Sequence, residues 1–276
     1  MILELICFLC GAGLAIAGSF TFWPVHAWWD FYIPIVLYIA GWIAGIGVIF
    51  IIEWTAGLFV SQKKNYLKVS RWARFWFNSG LRFITNHAHI FVKSTGKVKI
   101  PQKEKFVLVC NHRSKFDNFI ITEQLGKRNI AFITKKENKK IPVAGAFFPG
   151  LCYVAIDRDD KMQSLMGFKR AVTVVQEDIA SIGVFPEGTR QSEKTIGEFH
   201  EGVFNIAIHS KAPLVVTAIS GTELVHKRWP WLPTQVKWDI IAVIPYEEYQ
   251  DLPAKALSDK VHDMIEQHLT QMQGTN

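Results

Sequence analysis

Two long stretches without a charged side chain stand at the start of this chain and limit the folds open to it. They run from Leu5 to Trp23 and from Ile33 to Ile52, which is 19 and 20 residues. A helix needs about 20 apolar residues to cross the hydrocarbon core of a bilayer. The pair therefore predicts a membrane-embedded helical hairpin over residues 1–60.

Two other interpretations apply to these stretches. The first stretch could be a cleaved signal peptide, but it has no basic residues before it and a second apolar stretch follows at once. Pro24, Pro34 and several glycines weaken both helices. Whether the hairpin spans the bilayer or only dips into it therefore stays open.

The charge distribution predicts the orientation of the membrane segment in the bilayer. Residues 1–60 contain no Lys or Arg, whereas residues 61–140 contain 19 basic and four acidic side chains, a net charge of +15. Residues 141–276 have a net charge of −5. By the positive-inside rule, the chain from residue 61 onward is expected in the cytoplasm, with any active site on the cytoplasmic face of the membrane. The basic segment adjoins membrane-length stretches and lacks a nucleic-acid-binding motif, so no nucleic-acid partner is expected.

The segment 61–90 predicts a basic amphipathic helix. At 100° per residue, four basic side chains between residues 64 and 83 share one sector, and aromatic side chains occupy the opposite one. Such a helix typically lies in the bilayer interface. The alternative is a surface helix whose aromatic face packs on the following domain.

From about residue 104, short β-branched runs alternate with helical stretches, which predicts an α/β domain over residues 91–276 with a mostly parallel or mixed sheet flanked by helices. Predicted strands are Phe106–Cys110, Ile130–Ile133, Cys152–Ile156, Ile182–Phe185, Leu214–Ile219 and Ile240–Ile244. Predicted helices are Asp117–Leu125, Met162–Ile179, Gly202–His209 and Pro253–Leu269. In such sheets, functional groups gather at the carboxyl ends of the strands.

The first predicted strand of this domain leads into a candidate catalytic pair. His112 follows the strand, and Asp117 stands five positions later at the start of a helix. A carboxylate at this spacing can orient an imidazole and stabilise the imidazolium that forms when the ring takes a proton. No Ser or Cys is suitably placed as a nucleophile, because Cys110 is expected in the core, so the pair would activate a hydroxyl of the substrate. The alternative is a loop histidine beside a helix-capping aspartate.

Four blocks in this domain resemble a known family, the glycerolipid acyltransferases, and most resemble its 1-acylglycerol-3-phosphate (lysophosphatidate) acyltransferases. They occur in the family's order over about residues 90–225. The matching residues are Asn111-His112-x4-Asp117, then Lys135-Lys136-Glu137 to Gly145 with Ile156-Asp157-Arg158, then Phe185-Pro186-Glu187-Gly188-Thr189-Arg190, and last Phe199–Ala207 with Pro213-Leu214-Val215. Two positions depart from the pattern, Asn138 and Val216, and these affect the expected acyl-chain preference more than the reaction type.

The resemblance implies an activity and a role for each motif. His112 would be the general base, oriented by Asp117, and the acceptor hydroxyl would attack the thioester of an acyl-CoA or acyl carrier protein. Residues of the other motifs would bind the acceptor and its phosphate: Lys135 or Lys136, Arg158, Glu187, Gly188, Thr189 and Arg190. The implied partners are a lysophospholipid, the acyl thioester, membrane lipid and possibly acyl carrier protein. No cofactor or metal is expected, since the other histidines show no ligand spacing.

Three alternatives to lysophosphatidate acylation stay open. The acceptor could be another lysophospholipid or glycerol 3-phosphate. The chain could instead be a non-catalytic membrane lipid-binding protein that retains the fold. A metal-dependent phosphatase using His112, Asp117 and His200 is the third alternative.

Overall fold

The computed structural model describes residues 2–22, 32–157, 160–191 and 196–274, and its first two elements form the expected hairpin. Helix α1 spans Ile2–Phe22 and helix α2 spans Tyr32–Leu58. Both are long and apolar enough to cross a membrane. Glycines allow the close approach of the two helices, because a Cβ atom at Gly45 would lie 2.7 Å from the Cα atom of Cys7.

Helix α3 spans Arg71–His87, so it begins later than the predicted stretch 64–83. The Ser70 side chain caps its start by accepting a hydrogen bond from the Ala73 amide. Residues of one α3 face, including Phe77, are buried in the core of the following domain. Trp72 Nε1 donates to the Ala56 carbonyl oxygen of α2 at 2.9 Å. The apolar side of α3 thus packs against both the domain and the hairpin.

The rest of the described chain forms a seven-stranded mixed sheet flanked by helices, as the sequence predicts. The strands are β1 Ile90–Thr95, β2 Val107–Cys110, β3 Ile130–Lys135, β4 Val154–Ile156, β5 Ser181–Val184, β6 Leu214–Ser220 and β7 Thr234–Ile244. The helices are α4 Asp117–Leu125, α5 Ala144–Phe147, α6 Lys161–Gln176, α7 Asn205–Ser210, α8 Val225–Arg228 and α9 Ala254–Gly274. The strand order is β1-β7-β6-β2-β5-β3-β4. Strands β2 and β5 are buried throughout and rich in aliphatic side chains, as is typical of parallel strands covered on both faces.

The strand directions place the starts of β1 and β7 beside the ends of the other strands. Strands β6, β2, β5, β3 and β4 are parallel, β7 is antiparallel to β6, and β1 is parallel to β7. Ser220 at the end of β6 therefore pairs with Lys237 near the start of β7, and Ile90 at the start of β1 pairs with Thr234. The starts of β1 and β7 thus lie where the other five strands end, at what we term the carboxyl edge.

Candidate active site

The predicted pair forms at the carboxyl edge, in the loop between β2 and α4. His112 Nδ1 lies 2.8 Å from Asp117 Oδ2. The Asp117 side chain is fully buried, and the His112 side chain is 20% exposed. The same oxygen accepts hydrogen bonds from the Arg113 amide at 2.6 Å and from the Ser114 amide at 2.8 Å. One carboxylate thus holds both the imidazole and the loop that carries it, and Nε2 is the ring nitrogen left to accept a proton.

Two stacked aromatic rings cover one face of the His112 imidazole. The Phe185 ring, just after β5, stacks on the His112 ring with 4.2 Å between centroids and 18° between planes. The Phe132 ring of β3 lies 5.6 Å further along the stack at 13° to Phe185. Gly183 leaves the room for this stack, since a Cβ atom there would lie 2.4 Å from an atom of the Phe132 ring.

Asn111 ties the start of the same loop to the neighbouring strand. Its Nδ2 donates to the Ile219 carbonyl oxygen at 2.9 Å, and its Oδ1 accepts from the Ile219 amide at 2.8 Å. The side-chain amide therefore continues the β2–β6 pairing beyond the end of β2. The residue just before His112 is therefore held to the sheet by two hydrogen bonds.

Glu187 connects this loop to the loop after β5. Its Oε1 accepts a hydrogen bond from the His112 amide at 2.7 Å, and its Oε2 accepts one from the Gly197 amide at 3.0 Å. The side chain is buried, and this burial raises the pKa of its carboxyl group above the ordinary value. Next to it, Gly188 takes a positive φ of 68°, which a glycine adopts without strain.

The predicted phosphate-binding residues lie at the ends of neighbouring strands. Lys135 ends β3 and is exposed, and Lys136 Nζ lies 3.4 Å from Asp157 Oδ2 just after β4. Thr189 and Arg190 are exposed in the turn after β5. The structure brings the ends of β5, β3 and β4 side by side beside β2. Arg158 lies outside the described residues, so its predicted role is a sequence-based expectation alone.

Cys110, two residues before His112, is fully buried in the core, as its strand position predicts. Burial raises the pKa of this thiol well above its ordinary value. A protonated, inaccessible thiol cannot attack a substrate. The geometry therefore matches a histidine that acts on a hydroxyl brought by the substrate.

Sequence reasoning gave no role to three contributors to this site. Phe185 is part of a matched motif, yet only the structure shows that its ring stacks on His112. The amide of Asn111 and the buried guanidinium of Arg113 gave no separate signal either, because a polar residue in a loop is usually exposed. The charge of Arg113 acts on Glu187, where it favours the ionised carboxylate and partly offsets the burial that raises the pKa of Glu187.

The histidine–carboxylate site lies in a segment of the chain that is similar to a known protein family. Residues 91–220 match the model of the Acyltransferase family, which confirms the resemblance read from the four motifs.

Among curated proteins, the chain is 29% identical over 126 residues to a 1-acyl-sn-glycerol-3-phosphate acyltransferase of Limnanthes alba, covering 46% of this chain and 44% of that protein. It is 24% identical over 178 residues to the protein of that name from Haemophilus influenzae, covering 63% and 74% of the two chains. The matches thus span under half the length of the plant relative. The structure resembles the crystal structure of the 1-acyl-sn-glycerophosphate acyltransferase PlsC from Thermotoga maritima, with a TM-score of 0.59 and 19% identity over 82% of this chain and 97% of that one. This likeness confirms the fold.

Proposed function

We propose that this chain is a membrane-bound 1-acylglycerol-3-phosphate O-acyltransferase, which converts lysophosphatidate to phosphatidate with a fatty acyl thioester as donor. The observation that carries the proposal is the His112–Asp117 pair. It lies at the carboxyl edge, as do Lys135 and Arg190, and the Cys110 thiol is buried. The relatives of that name support the choice of acceptor.

The proposed reaction transfers the acyl group directly from the thioester to the acceptor, with no covalent enzyme intermediate. His112 Nε2 takes the proton of the acceptor hydroxyl while that oxygen attacks the thioester carbon. The carbon–sulfur bond breaks, and the departing thiolate takes the proton from the imidazolium. Asp117 stabilises the imidazolium between these two transfers, and general base catalysis of this kind contributes about 10²–10⁴-fold.

We further propose that the acceptor phosphate binds beside His112. Arg190 follows β5, and Lys135 and Lys136 lie at and after the end of β3, the strand next to β5, so these charges can reach one side of the acceptor. Arg158 is assigned to the phosphate by its motif alone. Arginine offers a bidentate fork to phosphate and lysine a point charge. Gly188 and Thr189 shape the turn that carries Arg190. Glu187 acts as a positioning residue, because its oxygens hold backbone amides on both sides of the site.

The hairpin gives the enzyme access to both substrates. Lysophosphatidate resides in the bilayer and the acyl carrier is soluble, so an active site against the membrane receives one substrate from each side. The basic segment after α2 supports a position of this site on the cytoplasmic face.

The decisive experiment incubates detergent-purified protein with labelled acyl-CoA or acyl carrier protein and a panel of lysolipids and glycerol 3-phosphate. We expect labelled phosphatidate from the wild type and none from a folded His112→Ala variant. No product with any acceptor and either donor would contradict the proposal and favour a lipid-binding role.

Arg190→Ala tests the phosphate assignment in the same assay. The side chain is exposed, so the fold should survive, and we expect a higher KM for the phosphate-bearing acceptor with little change for the donor. Lys260→Ala, on an exposed position of α9, removes the same charge away from the site and serves as the control. A change confined to the KM of the donor would contradict the assignment.

A further inference from the structure

The connection between β6 and β7 carries large apolar side chains into solvent. Trp229, Trp231 and Leu232 are 55%, 88% and 58% exposed. We call residues 229–233 the tryptophan loop. It is an ordered turn, because the amides of Trp231 and Leu232 donate to the Arg228 carbonyl oxygen at 3.1 and 2.9 Å, and the Arg228 guanidinium donates to the Pro233 carbonyl oxygen at 3.1 Å.

The tryptophan loop adjoins the membrane hairpin. Trp229 Nε1 donates to the carbonyl oxygen of His87, the last residue of α3, at 3.1 Å. The His87 ring in turn lies 5.7 Å from the ring of Trp42 in α2. The loop is therefore connected, through the end of α3, to the helix that has the composition of a membrane span.

The topology also places this loop on the same side of the molecule as His112. It ends where β7 begins, at the carboxyl edge. Phe91, which is 62% exposed, lies in β1 beside the start of β7 and adds to the apolar surface. The catalytic loop and these apolar side chains thus face the same edge of the sheet.

The composition of the loop fits the polar–apolar boundary of a bilayer. Tryptophan is enriched at this boundary, where its ring reaches the headgroup level. The exposed cations Lys227 and Arg228 stand directly before the loop and would meet anionic headgroups. An acidic carrier protein would also attract the cations, but the apolar side chains and the hairpin contact favour lipid.

We propose that the tryptophan loop is a second membrane-docking element, which inserts into the interface of an anionic bilayer beside the hairpin and turns the carboxyl edge toward the lipid. The inference rests on the proposed membrane attachment, and it is independent of which acceptor the enzyme uses. The loop orients the active site, while the hairpin holds the protein in the membrane.

Fluorescence quenching from within the bilayer tests this directly on the full chain. Cys10→Ser removes the partly exposed cysteine, and the other three are buried. A single cysteine is then introduced as Trp231→Cys, Val98→Cys or Ile16→Cys and labelled with an environment-sensitive dye. Val98 is the control position. It is 89% exposed, like Trp231, but it lies after the end of β1, at the edge of the sheet opposite the carboxyl edge.

The labelled proteins are reconstituted into phosphatidylglycerol vesicles that contain a brominated lipid. We expect loss of fluorescence at positions 16 and 231 and none at position 98. Quenching at 16 without quenching at 231 would overturn the docking role and leave the membrane attachment intact. Absence of quenching at 16 and at 231 would overturn both, and equal quenching at 231 and 98 would refute a specific docking surface.

Turnover gives a second test. Trp231→Glu should lower kcat/KM for an acceptor presented in vesicles by about tenfold, the effect of losing one aromatic side chain that is partly inserted in the bilayer. The same variant should process a short-chain, monomeric acceptor at the wild-type rate, and Val98→Glu should change neither. A raised KM for acyl carrier protein, with vesicle turnover unchanged, would assign the loop to the carrier instead.

Discussion

Replacing Asp117 by asparagine removes one negative charge beside His112 while keeping the size and shape of the side chain. Its Oδ2 now accepts three hydrogen bonds, from the His112 ring and from the amides of Arg113 and Ser114. An asparagine carbonyl oxygen in the same place can accept all three. The variant should therefore fold with the imidazole in place but without the carboxylate charge.

The size of the effect follows from this geometry. The bonded atoms lie 2.8 Å apart, and both charges are spread over their groups, so about 4 Å is a reasonable separation of charge centres. At an effective dielectric constant of about 20, the attraction between carboxylate and imidazolium is then about 4 kcal/mol. Because about 1.4 kcal/mol corresponds to a tenfold change in rate, turnover should fall by about 10³-fold.

The assay compares kcat for labelled acyl transfer to lysophosphatidate in the wild type, Asp117→Asn and a control. Asp259→Asn removes the same charge from an exposed ion pair with Lys255 on α9, and it should keep wild-type turnover. Thermal unfolding of all three proteins checks the fold. Wild-type kcat in a correctly folded Asp117→Asn protein would refute the role given to this carboxylate.

Three further substitutions test other parts of the structure. Gly183→Ala should lower the free energy of unfolding by about 1–3 kcal/mol through overpacking of the aromatic stack, and it should slow turnover. Gly202→Ala should do neither, because a Cβ atom there would lie in open space. Denaturant unfolding and kcat of both variants test this. Gly45→Val should separate the two hairpin helices and reduce the thermal stability of the protein in detergent. Gly47→Val is the control, since a Cβ atom at Gly47 would meet no described atom within 4 Å, and equal stability of the two variants would contradict the packing. Burial raises the pKa of the Glu187 carboxyl group above 4.5, so the folded state holds this proton more tightly than the unfolded state does. The free energy of unfolding of the wild type should therefore fall, relative to that of Glu187→Gln, as the pH rises from about 4.5. A pH titration of urea unfolding measures this difference, and parallel curves for the two proteins would show that the carboxyl group is not perturbed.

The buried strands and helices of the fold could be predicted from the sequence because their apolar patterns are strong. Strands such as β5 are short, apolar and flanked by motif residues, and helix α4 has the predicted bounds. Strand β1 was missed, because every second residue of this edge strand is exposed and the run Ile90–Thr95 includes Lys93. Strand β7 begins earlier than predicted for a related reason, since Gln235 and Lys237 interrupt its apolar pattern.

The site was predictable in its residue types but not in its bonding. A histidine and an aspartate at fixed spacing after a strand indicate a pair, and the 2.8 Å contact agrees with that expectation. The two bonds of Glu187 to backbone amides depend on how two loops meet in space, which no local pattern encodes. Likewise, amphipathicity gave α3 an apolar side, but only the tertiary contacts show that the domain and the hairpin both pack against it.

The two hydrogen bonds between Asn111 and Ile219 have a consequence for how the proposed activity is lost on heating. They make the residue before His112 part of the central sheet, so this point of the loop cannot open locally while β2 and β6 stay paired. In native-state hydrogen exchange, the Ile219 amide should exchange only through global unfolding, although it lies near the end of a strand. Thermal inactivation should then coincide with the cooperative melting of the sheet rather than precede it.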